Sequence, residues 1–171
     1  MRMKGIKHLP MYFGGLSVIA LAMGSPSAIA QEKTTWIYTC QDIGASQPEP
    51  LGDKEGHSFS IGESSCRAGP GPQAGGVMTA VTSWEWNGPN AVMLFSNCVV
   101  RKPGAIVVCK NDEAKLTLTM TDGKVTGWTA SGGGVDTLAT GDWASMAGKR
   151  YHWTAKPVGP GSQFIIESTN E

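Results

Sequence analysis

Histidine is scarce in this chain. Of three, His8 lies near the N-terminus and only His57 and His152 stand in the body of the sequence, which leaves little for acid–base or metal chemistry. No G-x-S-x-G occurs, so a nucleophile elbow is excluded, and Ser58, Ser60, Ser64 and Ser65 have no orienting pattern beyond the adjacent His57. Cysteine never appears as C-x-x-C, and the spacings between Cys40, Cys66, Cys98 and Cys109 match no common zinc finger. Basic clusters are missing too. The only adjacent basic pairs, Arg101-Lys102 and Lys149-Arg150, lie beside glycine-containing turns, so there is no basic stripe for nucleic acid. No segment has a helical hydrophobic period, and beyond residue 30 no apolar run approaches the roughly 20 residues that span a bilayer.

What is present begins with an export signal. Basic Arg2, Lys4 and Lys7 precede an apolar stretch from Met11 to Met23, then small residues ending in Ala28-Ile29-Ala30. Pro10, Gly14, Gly15 and Pro26 interrupt this stretch, which argues for a cleaved signal peptide over residues 1–30 and against an anchor. No cysteine follows the cleavage position to carry a lipid. Residues 31–171 are then a single domain with 11 basic and 14 acidic side chains, a formal net charge of −3. Periplasmic or secreted is the expected location.

All four cysteines lie in this mature part, and an even number in an exported chain suggests two disulfides. If Pro103-Gly104 is a two-residue turn, Lys102 faces Ala105, and counting outward places Cys98 opposite Cys109. Cys40 and Cys66 pair by elimination. Proline cannot take the positive φ that the favoured two-residue turns place at their first position, so a longer turn would shift this register.

From Thr34 onward, short β-branched and aromatic runs alternate with Gly, Pro, Asn and Asp clusters, the pattern of a meandering antiparallel fold. Leu116, Leu118 and Met120 share one face of Lys115–Thr121, and Asp122-Gly123 is a type I′ hairpin signal leading into Lys124–Ala130. Further strands are expected at Thr34–Cys40, Ser58–Ile61, Val77–Trp86, Ala91–Arg101, Ala105–Lys110, Val135–Ala139, Arg150–Lys156 and Gln163–Ser168. These make about ten. The fold class is all-β, an antiparallel up-and-down β-barrel of about eight or more strands, with a β-sandwich as the alternative. Ser46–Gly56 and Ala68–Gly76 read as long loops, and Ser131-Gly132-Gly133-Gly134 as a flexible turn.

Residues two apart on a strand share a face, so Trp36 pairs with Tyr38, Trp84 with Trp86, and Tyr151 with Trp153. These six rings either fill the core or line a cavity for an apolar or sugar ligand. Asp53, Glu55 and His57 would share a face if extended and could ligate a divalent ion, but a solvated loop explains them without one. His152 points away from Tyr151 and Trp153, toward the surface. Among strand carboxylates Glu85 is notable, although alternation sets it opposite Trp84 and Trp86.

The stretch Asp122-Gly123-Lys124-Val125-Thr126-Gly127-Trp128, followed by Leu138-Ala139-Thr140-Gly141-Asp142-Trp143-Ala144-Ser145-Met146-Ala147-Gly148, resembles small exported proteins with an allene-oxide-cyclase-like or calycin-type β-barrel. The resemblance covers about a third of the mature chain. It implies an up-and-down barrel of about eight strands, and none of the cyclase's pocket residues is matched here. Trp36-Ile37-Tyr38-Thr39-Cys40 is similar to the opening strand of periplasmic c-type lysozyme inhibitors. Thr129–Gly134 echoes only the Ala-Ser-Gly of their cleft-entering loop, without its Arg and Tyr.

The expectation is a barrel with no cofactor and no bound metal, binding a small apolar ligand or another exported protein through Trp36, Tyr38, Trp84, Trp86, Tyr151 and Trp153. The alternatives are an isomerase- or cyclase-like barrel enzyme acting on an apolar substrate, which needs a buried carboxylate or histidine at the cavity, and a structural or lysozyme-inhibitor-like envelope protein. Mass spectrometry of the exported protein is expected to give a chain beginning at or near Gln31; a full-length, membrane-retained species would contradict the signal-peptide assignment.

Overall fold

In the computed structural model the described residues are 33–44, 47–159 and 161–171. The expected signal peptide and its cleavage position lie outside them. The strands are β1 (Thr35–Asp42), β2 (Glu49–Pro50), β3 (His57–Ala68), β4 (Val77–Asn87), β5 (Asn90–Lys102), β6 (Ala105–Thr121), β7 (Lys124–Ala139), β8 (Arg150–Pro157) and β9 (Gln163–Asn170), with a short 3-10 helix at Gly141–Met146.

From β3 to β9 each strand pairs antiparallel with the next, and β1 closes the ring by pairing with both β9 and β3. The result is a closed eight-stranded antiparallel barrel, not a sandwich, with β2 as an extra strand on the outer part of β3. Closure removes the exposed edges that an open sheet would carry.

Two pairs of expected strands prove to be single long ones. Ala105–Lys110 and Lys115–Thr121 merge into β6, and Lys124–Ala130 and Val135–Ala139 merge into β7. The cause in β6 is a β-bulge at Asp112. Asn111 faces Gly134 and Glu113 faces Gly133, which leaves Asp112 as the extra residue. Inward positions are therefore odd before it (Val107, Cys109, Asn111) and even after it (Ala114, Leu116, Leu118), so the two-residue period of the sequence stops and restarts. In β7 the Ser131–Gly134 run is strand rather than turn, paired with β6 on one side and β8 on the other. Beyond Thr117 of β6 and before Ala130 of β7, the two strands pair in the ladder only with each other, so the end of this hairpin overhangs the rim as a two-stranded ribbon.

The turns explain the register. Asp122 and Gly123 both take positive φ, 51° and 74°, as a type I′ turn requires. At Pro103-Gly104 only the glycine does, at 78°. This is the pattern of a type II turn, which accepts proline at its first central position, so the two-residue connection survives and Lys102 pairs with Ala105.

Cys98 accordingly faces Cys109 with Cα atoms 4.9 Å apart, and the two are disulfide-bonded. Cys40 and Cys66 form the second disulfide across the β1–β3 seam. Two disulfides and no free cysteine among the described residues are compatible with an oxidising, exported location.

One end of the barrel is plugged. The Ala68–Gly76 segment turns inward and buries Gln73, and the 3-10 helix contributes buried Trp143 and Met146 against Val100 and Val107. Lys102 covers the outside of the Trp143 ring, 4.9 Å from its centroid, and pairs with Asp142 at 3.1 Å. Replacing both cysteines of one bridge by alanine is expected to lower unfolding free energy in denaturant titrations by about 3.5 kcal/mol for Cys40–Cys66 and about 2.8 kcal/mol for Cys98–Cys109, following the loop each one closes.

Candidate functional site

Behind the plug the interior is hollow. A cavity of about 420 Å³ occupies the barrel, and all six rings expected to share faces line it: Trp36, Tyr38, Trp84, Trp86, Tyr151 and Trp153. They form two tiers. Trp36, Tyr38 and Tyr151 are buried toward the plugged end, whereas Trp84, Trp86 and Trp153 are half-buried. Exposed Gln47, Pro48 and Ile61 also line the cavity and mark its mouth at the opposite end. Leu118, Trp128 and Phe164 add apolar wall, with Trp128 and Phe164 packed edge to face at 5.5 Å.

The space exists because of small residues. Ala80, Ala130 and Ala155 face inward where larger side chains would fill the lumen. Gly132 and Gly134 act differently, since a Cβ at either would collide with Trp153 or Tyr151. The missing side chains let both rings lie against the wall of β7. The glycine run is thus a packing surface for two of the six rings.

Polar groups inside are few and mostly paired. Asn111, at the β6 bulge, accepts hydrogen bonds from the Tyr151 hydroxyl at 3.1 Å and the Trp153 indole at 3.0 Å, and donates to Ser96 at 2.8 Å. Ser96 is in turn 2.9 Å from Thr82. The Trp86 indole donates to Ser60 at 2.8 Å. At the plug, the Tyr38 hydroxyl donates to Gln73 Oε1, and Gln73 Nε2 reaches Met146 Sδ. The Trp36 indole N–H is buried without a partner of acceptable hydrogen-bond geometry among the described residues.

Asp136 is the exception in charge. It is 3% exposed and lines the cavity, and its carboxyl makes no hydrogen bond or ion pair among the described residues. Desolvation pushes its pKa up to about 7. Burial also raises the Tyr38 and Tyr151 phenols, with a further contribution from the Asp136 charge, so both stay neutral when Asp136 ionises. Asp42, also on the cavity wall, is raised by burial as well.

Other residues of interest sit elsewhere. His57 does not join Asp53 and Glu55 on one extended face. It lies between Asp53, 2.5 Å from Nδ1, and Glu85, 2.9 Å from Nε2, on the outside of the barrel. Asp53 first and Glu85 second raise the His57 pKa, and the bond to His57 holds Asp53 low. Glu85 thus faces away from Trp84 and Trp86, as alternation requires. His152 is exposed and pairs with Glu171 at 2.5 Å.

Sequence reasoning missed Asp136, Asn111 and Gln73. Asp136 was hidden by the division of β7: read as one strand, Trp128, Ala130, Gly132, Gly134 and Asp136 share a face. Asn111 borders the bulge, and Gln73 belongs to a segment that looks like solvent-exposed loop. No family model matches the chain, and no curated protein matches it.

Because the folded carboxyl of Asp136 binds its proton more tightly than an unfolded aspartate, with a pKa near 3.9, this residue makes stability fall as pH rises from about 4 to about 7. Asp136→Asn removes that contribution. In thermal unfolding, the variant's midpoint is expected to gain on the wild type steadily across this window and then level off; parallel curves would contradict the burial-driven shift.

Proposed function

We propose that the protein is a non-catalytic β-barrel that holds a small apolar ligand in its interior, in the periplasm or outside the cell. The observation that carries this reading is the convergence of six aromatic side chains, from β1, β4 and β8, on one cavity with an open mouth. Its volume falls within the range of small-molecule pockets, roughly 300–1,000 Å³. The wall is mainly aromatic and aliphatic, and its few polar groups are largely paired with each other, so an apolar body gains by displacing water from it. A purely structural role implies a filled interior, and the cavity weighs against that. A lysozyme-inhibitor role would need a protruding loop, and Thr129–Gly134 lies in the barrel wall. The allene-oxide-cyclase-like or calycin-type likeness adds the expectation of such a barrel and assigns no pocket residue.

Asp136 favours one second reading. A carboxyl with a pKa of about 7 inside an apolar cavity is suited to moving a proton near neutral pH, the requirement for an isomerase- or cyclase-like enzyme. That reading expects turnover of a bound apolar compound; the binding reading expects the compound to be recovered unchanged.

The test is native mass spectrometry of protein gently purified from its own compartment, together with tryptophan fluorescence during titration with apolar compounds. An extra mass that leaves on denaturation, or a saturable emission change, is expected. Ala80→Phe, which intrudes on the cavity from β4, is expected to weaken the response by about tenfold or more while the fold is retained. An emission unresponsive to every apolar compound would overturn the reading.

A further inference from the structure

Resting on the binding reading above, we infer that the cavity selects ligands carrying a positive charge, an amine or quaternary ammonium group on an apolar body, with Asp136 as the counter-charge and the surrounding rings as the cage. Three observations on the cavity carry this. First, its only charged side chains are Asp136 and Asp42; among the described residues no Lys, Arg or His lines it. Both carboxylates repel an anionic head group, so a fatty-acid-like ligand meets the wrong sign.

Second, Asp136 is buried, faces the cavity and is unpaired among the described residues. A buried carboxylate without a partner is costly, and a cation delivered by a ligand removes the cost. The nearby groups do not serve. Tyr38 of β1 and Tyr151 of β8 are the titratable side chains whose charge couples to Asp136, and both are neutral phenols. Arg150 begins β8, but its guanidinium is committed to Asp112 at 3.1 Å and lies 3.7 Å from Glu171.

Third, the end of the cavity that holds this carboxylate is rich in aromatic rings. Trp36, Tyr38 and Tyr151 form the deep tier of the cavity, with Trp153 on the same face of β8 as Tyr151. Aromatic faces attract cations, most strongly where water is excluded. The Tyr38, Tyr151 and Trp153 donors are already committed to Gln73 and Asn111, and among the described residues only the neutral Trp36 N–H is free, so a carboxylate in this wall suits an ammonium head over a neutral hydroxyl.

The test compares decylammonium, decanol and decanoate, each below its micelle concentration, by tryptophan fluorescence and calorimetry on the protein purified after expression of the full chain. At pH 8 the amine is expected to bind at least about tenfold more tightly than the alcohol, and decanoate more weakly than either. Asp136→Asn is expected to abolish the gap, so that amine and alcohol bind within about twofold of each other. The wild type supplies an independent arm should that variant fold poorly. Decylammonium stays charged throughout, so a gap that narrows as pH falls below about 7 is traced to protonation of the protein's carboxyl. Equal binding of amine and alcohol, a preference for decanoate, or an undiminished gap in Asp136→Asn would overturn the inference and leave the apolar-binding reading standing. Failure of all three compounds to bind would overturn this inference, and the binding reading falls with it only if the wider set of apolar compounds also gives no response.

Discussion

Every wall of the cavity depends on β1 being hydrogen-bonded on both sides. Tyr38–Asp42 pair with β3 while Thr35–Gln41 pair with β9, so eight residues join the two ends of a meander that would otherwise remain an open sheet. An open sheet of this twist would expose one face or fold over and fill its own interior. Trp36 and Tyr38 lie on this closing strand, so closure and two of the three deep rings come from the same segment. The Cys40–Cys66 bridge crosses the β1–β3 seam and makes that side of the closure covalent. That seam has the shortest ladder of the ring, and a cross-link that removes loop-closure entropy from the unfolded chain reinforces it.

Within that frame, hollowness is an arrangement of sizes. Aromatic side chains are large enough to fill a small barrel, yet these leave a cavity because alanines stand on the inner face and glycines in β7 allow Tyr151 and Trp153 to lie against the backbone. The polar interior follows the same economy. Asn111 collects the Tyr151 and Trp153 donors and passes the chain of bonds to Ser96 and Thr82, so most buried polar atoms are satisfied without water. Asp136 is left out of that network, which is why its charge rather than its hydrogen bonding dominates its behaviour.

Much of the frame could be read from the chain. Alternation located the strands, and the disulfides followed from a count across Pro103-Gly104. The turn type differed from the favoured hairpin turns, but only the number of turn residues sets the pairing, so the cysteines still met. All six rings line the cavity because residues two apart on a regular strand must share a face. What stayed hidden lay where the period breaks or where tertiary packing decides. The Asp112 bulge inverted the parity of β6, and the glycines of β7 look like a turn because nothing local reveals that two rings from β8 rest on them. Gln73 is polar and surrounded by Gly and Pro, and only the shape of the barrel end makes it a plug.

The overhanging ribbon gives the mouth an uneven stiffness. Leu118 and Trp128, both on the cavity wall, stand on β6 and β7 where the ladder has no third strand, and Met120 and Val125 beyond them are exposed. A two-stranded ribbon on its own is marginal in water. Local opening free energies differ accordingly around the ring. Fluctuations that open this ribbon leave the seam and both bridges intact. The rim beside Trp128 is therefore the part of the mouth that loosens at the cost of a few hydrogen bonds, while the plugged end keeps its geometry.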